Sequence, residues 1–221
     1  MSLNKQSGNM YGFVTHTWNT IKGKCPHDCS YCYMKRFPQP ELHFDEKELK
    51  TNLGSGNTIF VGSSCDMWAD NIPADWIEKT LQHCINCEGN TYLFQTKNPS
   101  LFNEYSEICD FPKWAILCTT IETNRKNNFM GFTPSIQERV NAMMQLAKHK
   151  RMITIEPIMD FDIEIMISIV LSIQPFQVNI GADSGRNNLP EPPKEKVLDL
   201  ISALSEFTTV HPKDNLKRLL K

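Results

Sequence analysis

The chain has 221 residues, of which 40% are hydrophobic and 22% charged, and its net charge is −2. This length and composition are typical of one globular domain with its own core. They show no overall basic excess of the kind that marks many nucleic-acid-binding domains, and no apolar run reaches the roughly 18 residues of a membrane helix. The first residues, MSLNKQSGN, carry no apolar leader, so we expect a cytoplasmic protein with reduced thiols and no membrane partner.

Short β-branched or aromatic runs alternate with helical segments along the chain. Strands are predicted at 10–18, 57–64, 90–97, 114–122, 151–158 and 175–183. The clearest predicted helices are at 74–87, 134–150, 160–172 and 194–207. Such alternation indicates a parallel sheet with right-handed crossovers.

Six units are too few for a full eight-stranded barrel, which takes about 250 residues. The predicted fold is therefore α/β, a partial (β/α)6 barrel with parallel strands. We expect one domain over 1–221, with its core at about 10–189 and a C-terminal helical extension at about 190–221.

Three cysteines, Cys25, Cys29 and Cys32, lie close together in the segment KGKCPHDCSYCYMKRF (22–37). A structural zinc site normally takes four ligands, and His27 could complete one only in a cramped loop. A disulfide between two of these thiols would leave the third unpaired, in a compartment that we expect to be reducing. Polar and turn-forming neighbours are atypical of buried core cysteines. An iron–sulfur cluster is the favoured occupant, because cysteine thiolates hold such clusters.

The spacing Cys25-x₃-Cys29-x₂-Cys32, with Tyr31 before the last cysteine, resembles the signature of the radical S-adenosylmethionine (SAM) enzymes. The resemblance implies a 4Fe–4S cluster held by these three cysteines, with SAM chelating the iron left open. It also implies reductive cleavage of SAM to a 5′-deoxyadenosyl radical that takes a hydrogen atom from substrate. Such chemistry needs a reductant of the flavodoxin or ferredoxin type.

Polar residues end every predicted strand, at 17–19, 62–66, 95–97, 122–124, 156–157 and 181–185. Because the carboxyl ends of barrel strands meet at one rim, we expect a single polar site. The motifs TWN, VGSS.D, QTKNP, TIE, TIEP and GADSG resemble a phage-associated, radical SAM-like family across about 11–189. A looser similarity is to spore photoproduct lyase, whose hydrogen-donating cysteine is matched here by Ser63, while Cys65 lies two residues further on. This departure argues against thymine-dimer repair.

The resemblance implies roles for several rim residues. Tyr33 is expected to contact the adenine of SAM. Ser63, Ser64 and Lys97 are expected at its amino and carboxylate groups, and Lys97 suits a carboxylate as a point charge. The ribose hydroxyls are assigned to Glu122 and Asn124, because a carboxylate accepts such hydrogen bonds. Two further carboxylates are candidates for substrate or SAM, Glu156 and Asp183; an ion pair of Glu156 with Lys97 or Arg151 is the structural alternative. A hydrogen-atom relay is a further hypothesis for Cys65.

The resemblance to these two families, together with the open barrel, implies a nucleic acid or nucleotide as substrate. Trp18 and Trp68, near two strand ends, could stack on an unpaired base. Basic residues that could contact phosphates surround the cysteine segment: Lys22, Lys24, Lys35 and Arg36. A peptide or small metabolite is the alternative substrate, and a non-catalytic iron–sulfur or zinc protein is the alternative function.

The remaining features have plainer interpretations. Cys84 and Cys87 could form an auxiliary cluster with Cys109 or Cys118, although buried structural cysteine is commoner. A solvated amphipathic tail explains the basic group at the end of the chain, which comprises Lys213, Lys217, Arg218 and Lys221.

Overall fold

The computed structural model describes residues 3–6 and 10–221. Residues 1–2 and 7–9 lie outside the described residues. They belong to the N-terminal segment MSLNKQSGN, on which the expectation of no apolar leader rests. Strands of the described part are β1 (Asn4–Lys5), β2 (His16–Trp18), β3 (Ile21–Lys22), β4 (His43–Phe44), β5 (Thr58–Val61), β6 (Thr91–Thr96), β7 (Ala115–Thr120), β8 (Lys150–Ile155), β9 (Gln177–Ile180) and β10 (Thr209–Pro212). Its α-helices are α1 (Ala74–Asn86), α2 (Ser100–Ile108), α3 (Ile136–Gln145), α4 (Ile163–Ile173) and α5 (Lys194–Ser205). Within these ranges no helix has the length and apolar character needed to cross a bilayer.

The main sheet has the strand order β1-β2-β5-β6-β7-β8-β9-β10. All neighbours from β2 to β10 pair in parallel, whereas the short β1 pairs antiparallel with β2. Each helix connects two consecutive parallel strands from β5 onward, as expected of βα units. The predicted α/β fold with a parallel sheet is therefore confirmed.

The two faces of the sheet carry different cores, because successive side chains of a strand point to opposite faces. Ile59 and Val61 of β5 belong to the large core that includes the helices. Phe60, between them, belongs to a smaller cluster without helical residues, together with Tyr11, Leu93 and other inner-face side chains: Val14, Ile116, Cys118 and Met152. The concave side of the sheet is thus filled with apolar side chains below the polar strand ends.

The C-terminal region departs from the prediction. A helical extension was expected after residue 190, and α5 is present, but the chain then adds β10 as a seventh parallel strand beside β9. The sequence TVHP did not predict a strand because it is short and contains a proline. A proline is tolerated here because β10 lies at the edge of the sheet.

The two tryptophans proposed as base-stacking platforms are core residues, so that prediction is wrong. Trp18 is buried and its indole N–H donates to the carbonyl of Glu48, 3.3 Å away. Trp68 is fully buried, with ring centroids 4.9 Å from Phe102 and 5.8 Å from Phe94. Their large apolar surfaces stabilise the packing of α1 and α2 against the sheet.

Candidate active site

The cysteine loop, residues 25–32, is a short irregular segment held by turns of its own. The N–H of Asp28 donates to the carbonyl of Cys25, and the N–H of Cys32 donates to the carbonyl of Cys29. Each donor–acceptor distance is 3.2 Å. A neighbouring segment supports the loop from outside, since the N–H of Phe132 donates to His27 O over 2.7 Å. Gly131 makes this approach possible, because a Cβ there would lie 2.0 Å from His27 O. Its φ of +64° also favours glycine.

His27 fixes the loop to the sheet. Its ring is buried, with Nε2 2.9 Å from Asp66 Oδ2 and Nδ1 3.2 Å from the carbonyl of Phe132. Both ring nitrogens therefore face acceptors, as in a protonated imidazolium. Burial alone would lower the pKa of His27, but the hydrogen bond and charge of Asp66 raise it. Because neither nitrogen is available for a metal, the alternative of His27 as a zinc ligand is wrong.

Asp66 joins three elements at the end of β5. Besides His27, its Oδ2 accepts from Thr96 Oγ1 and from the N–H of Lys97, each at 2.9 Å. The carboxylate thereby ties the cysteine loop to the ends of β5 and β6. Asp66 belongs to the motif VGSS.D, and its position beside a serine-rich strand end is the only sequence signal of this role.

A cavity of about 910 Å³ opens at the carboxyl ends of the parallel strands. Its volume lies within the range of small-molecule sites, about 300–1,000 Å³. The structure brings most of the predicted site residues to its wall: Cys25, Cys29, Cys32, Tyr33, Ser63, Ser64, Cys65, Lys97, Glu156 and Asp183. Tyr33 OH donates to the carbonyl of Ser63 at 2.8 Å, which joins the cysteine loop to the β5 end.

Glu122 and Asn124 are outside this wall. Glu122 is fully buried, and Lys97 Nζ, Tyr31 OH and Arg139 Nη1 surround its carboxylate at 2.7, 2.5 and 2.8 Å. Burial would raise the pKa of Glu122, but Lys97 and Arg139 lower it to about 2. Its partners leave no acceptor directed at the cavity, so the predicted ribose contact is not supported, and the carboxylate instead anchors the cysteine loop through Tyr31.

Asn124 likewise serves the fold. Its Nδ2 donates to Asp162 Oδ2 at 2.9 Å, and its Oδ1 accepts from the N–H of Asp162 at 2.7 Å. These paired bonds hold the residue that precedes α4. The ribose contact predicted for Asn124 is therefore not supported either.

Glu156 is held by two partners from the C-terminal segment, Lys213 and Asn215. Lys213 Nζ lies 2.5 Å from its Oε2, and Asn215 Nδ2 lies 2.7 Å from its Oε1. Lys213 directly follows β10, lines the cavity, and places its ammonium 4.7 Å from the centre of the Tyr11 ring. The structural alternative for Glu156 was an ion pair with Lys97 or Arg151, and Lys213 was expected in a solvated tail. The observed partner and the position of Lys213 differ from these expectations because β10, which was not predicted, brings Lys213 to the cavity.

Asp183 shapes the turn after β9 while lining the cavity. Its Oδ1 accepts from the N–H of Gly185 at 2.9 Å and from Asn187 Nδ2 at 2.7 Å. The backbone N–H of Asn187 contacts the other oxygen. This carboxylate is committed to its own loop, so its presence on the wall reflects the turn geometry.

The thiols on the wall differ in their surroundings. Cys65 hydrogen-bonds to Cys25, which lowers the pKa of the Cys25 thiol and raises that of Cys65. Burial raises the pKa of Cys29, whose Sγ donates to the carbonyl of Met130 at 3.2 Å. Cys65 therefore lies against a predicted cluster ligand, at the loop side of the cavity.

The donor set of the cysteine loop suits an iron–sulfur cluster. Three cysteines, whose thiolates are the ligands that such clusters use, line one cavity from one loop. Across residues 3–6 and 10–221, no three His, Cys, Asp or Glu side chains already stand close enough to hold an ion. The cysteines considered for an auxiliary cluster lie in different parts of the fold. Cys84 is buried in α1, whereas Cys118 belongs to the smaller hydrophobic core on the other face of the sheet. The structure therefore does not support an auxiliary cluster.

Of the four basic residues predicted to contact phosphates, only Lys24 and Lys35 line the cavity. Lys22 is neutralised by Asp45 and Glu48, each at 2.8 Å, so it is not free for phosphate. Lys35 pairs with Asp28 at 2.7 Å but lines the cavity, as does Lys24. Arg36 donates to the carbonyl of Ser184.

Comparison with known proteins places this geometry in context. The profile of a family described as "Protein of unknown function (DUF5131)" matches residues 10–195. No curated protein matches the sequence. A mutant of spore photoproduct lyase is structurally similar, with a TM-score of 0.67 and 11% identity over 94% of this chain and 78% of the lyase chain.

A second lyase mutant was solved with bound AdoMet and dinucleoside spore photoproduct. It matches with a TM-score of 0.60 and 12% identity, over 93% of this chain and 66% of that chain. The present chain thus spans about two thirds of the length of this ligand-bound lyase. At such low identity the likeness shows the fold. The chain belongs to the DUF5131 family and shares the fold of spore photoproduct lyase.

Proposed function

We propose that this protein is a radical SAM enzyme that acts on a nucleic acid or nucleotide. One observation supports this above the others: the three cysteines of the loop all line a cavity of about 910 Å³ at the carboxyl ends of the parallel strands. A non-catalytic zinc or iron–sulfur protein has no use for such a cavity lined by polar strand ends.

Cys25, Cys29 and Cys32 would hold the 4Fe–4S cluster. When bound, this group supplies the electron for reductive cleavage of SAM. The chain's own residues position and protect it: His27 and Asp66 fix the loop to the sheet, and Tyr31 joins it to the buried Glu122.

SAM would lie in the cavity beside the cysteine loop. Lys97 is the cation suited to its carboxylate, because its side chain lines the cavity and is 16% exposed. Glu122, Lys97 and Arg139 together carry one net positive charge, so Lys97 keeps a favourable field for an anion although it is paired. Tyr33, Ser63 and Ser64 would contact the rest of SAM. Cys65, also on this wall, keeps its predicted role as a hydrogen-atom relay.

The substrate proposal has separate support. Solved chains of the similar lyase bind a dinucleoside spore photoproduct. Lys24 and Lys35 lie on the wall of the cavity, which has a volume of about 910 Å³. A peptide or small metabolite is the rival. The proposed reductant is a flavodoxin- or ferredoxin-type protein, acting in the cytoplasm.

Iron binding tests the cofactor assignment. After anaerobic reconstitution with iron and sulfide, the wild type should carry about four irons per chain and be brown. Cys25→Ala, Cys29→Ala and Cys32→Ala should each lose most of that iron. Cys109→Ala is the matched control, since this thiol lies at the end of α2 and does not line the cavity. Full iron content in all three loop variants would overturn the assignment.

A further inference from the structure

A second cavity, of about 320 Å³, adjoins the first. The two share Asp183 and Ser184, in the turn after β9. Its other wall comes from the C-terminal segment and from Arg186. A ligand that extended from the large cavity past this turn would therefore enter the second one.

The second cavity is basic, although the whole chain has a net charge of −2. Four cationic side chains line it: Arg186, Lys217, Arg218 and Lys221. Two carboxylates, Asp183 and Asp214, also line it. Asp183 accepts hydrogen bonds from its own turn, and Asp214 pairs with Lys217 at 2.7 Å. Positive charge therefore exceeds negative charge on this wall.

Two of these cations have no partner in the described part of the chain. Arg218 pairs with Glu191 and donates to the carbonyl of Asp183. Arg186 and Lys221, by contrast, are exposed and make no ion pair with any described residue. They are available for an anionic ligand, and the guanidinium of an arginine can contact two phosphate oxygens at once.

The backbone of the turn supports a binding role. Arg186 has a φ of +53°, in the left-handed region that non-glycine residues rarely adopt. The hydrogen bonds from Gly185 and Asn187 to Asp183 hold the turn in this form. Such conformational cost is commonly found where a loop presents a functional side chain.

We propose that the second cavity binds a backbone phosphate of a nucleic acid whose neighbouring nucleotide occupies the large cavity. This proposal rests on the proposed function. A phosphodiester backbone carries a charge at every unit, so a nucleotide in one cavity places a phosphate near the next. The family profile ends at residue 195, whereas the segment 214–221 builds most of this wall. The proposed phosphate site therefore lies mostly outside the segment that the family profile matches.

The test compares two double variants of equal charge change. Arg186→Gln/Lys221→Gln removes the unpaired cations of the second cavity. Lys113→Gln/Lys148→Gln removes exposed cations that precede β7 and β8, at the opposite end of the strands. The probe is a short, fluorescein-labelled single-stranded DNA, whose binding is followed by anisotropy at several salt concentrations.

We expect the first double variant to bind the DNA about tenfold more weakly, because two phosphate contacts are lost. Its plot of log affinity against log salt should be shallower by about 1.4, since each contact on a single strand contributes about 0.7. The control should bind as the wild type does. Equal affinity and slope in both variants would overturn the proposal, as would absence of DNA binding by the wild type. Equally strong competition by an acidic peptide would overturn it in favour of that ligand.

SAM affinity of the reconstituted proteins separates this proposal from the one on which it rests. The first double variant should bind SAM as the wild type does. If neither protein binds or cleaves SAM but DNA affinity still depends on Arg186 and Lys221, the phosphate site stands and the radical SAM function fails.

Discussion

Replacing Glu122 with glutamine should destabilise the fold, because this carboxylate is the shared counter-ion of two cations, Lys97 and Arg139, in the protein interior. Glu122 and Arg139 are fully buried, and the Lys97 side chain is 16% exposed. The substitution keeps the size of the side chain and removes only its charge. Arg139 would keep its bond to the carbonyl of Thr120 but lose its counter-ion.

Two routes lead to a similar magnitude. The pKa of Glu122 falls from its ordinary 4.5 to about 2, mainly because Lys97 and Arg139 overcome the effect of burial. At about 1.36 kcal/mol per pKa unit, this is about 3 kcal/mol. Removing one partner of a buried ion pair typically costs about 3–5 kcal/mol. Because the pKa is lowered in the folded state, this stability is present above pH 4.5 and is lost as the pH falls toward 2.

Urea unfolding, followed by tryptophan fluorescence at pH 7, measures the effect. Glu122→Gln should lower the free energy of unfolding by about 3 kcal/mol, and this difference from wild type should shrink as the pH falls from 4.5 toward 2. The matched control is Glu107→Gln, on the exposed side of α2, which should change little. A loss of less than about 1 kcal/mol for Glu122→Gln is the effect expected of an exposed ion pair. Such a result would refute the conclusion that the ion pairs of Glu122 with Lys97 and Arg139 stabilise the fold.

Three further predictions concern other parts of the molecule. Trp68→Ala should lower the free energy of unfolding by about 3–5 kcal/mol yet leave DNA affinity unchanged; weakened DNA binding would contradict its assignment to the core. Gly131→Ala should reduce iron uptake on reconstitution, because the added Cβ would displace His27. The control Gly12→Ala should keep wild-type iron, because no atom lies within 4 Å of a Cβ there. Equal iron content in both variants would contradict this prediction. Lys97→Met should weaken SAM binding by about 1.5–3 kcal/mol in calorimetry; unchanged affinity would remove Lys97 from the site.

The parallel fold could be predicted because its signals are local. Each parallel strand from β5 to β9 carries β-branched or aromatic residues, and polar residues follow it. The helix α2 was not among the clearest predicted helices, because it is short and has only two buried positions, Phe102 and Tyr105. β10 was missed because its four residues are mostly exposed at the sheet edge.

Predictions at the site depended on how far apart the partners lie in sequence. The three cysteines lie within one short loop, so their convergence on one cavity could be predicted. The partners of Glu122 come from three separate elements, and no local pattern indicates that Arg139 of α3 reaches it. Glu156 and Lys213 are 57 residues apart, so their pairing depends on the tertiary fold.

Formation of 5′-deoxyadenosine from SAM tests the central claim most directly. The reconstituted wild type, reduced anaerobically with dithionite, should release 5′-deoxyadenosine and methionine. Cys29→Ala should release neither, and Cys109→Ala should match the wild type. An iron-loaded wild type that leaves SAM intact, with and without added DNA, RNA or nucleotides, would contradict the assignment as a radical SAM enzyme.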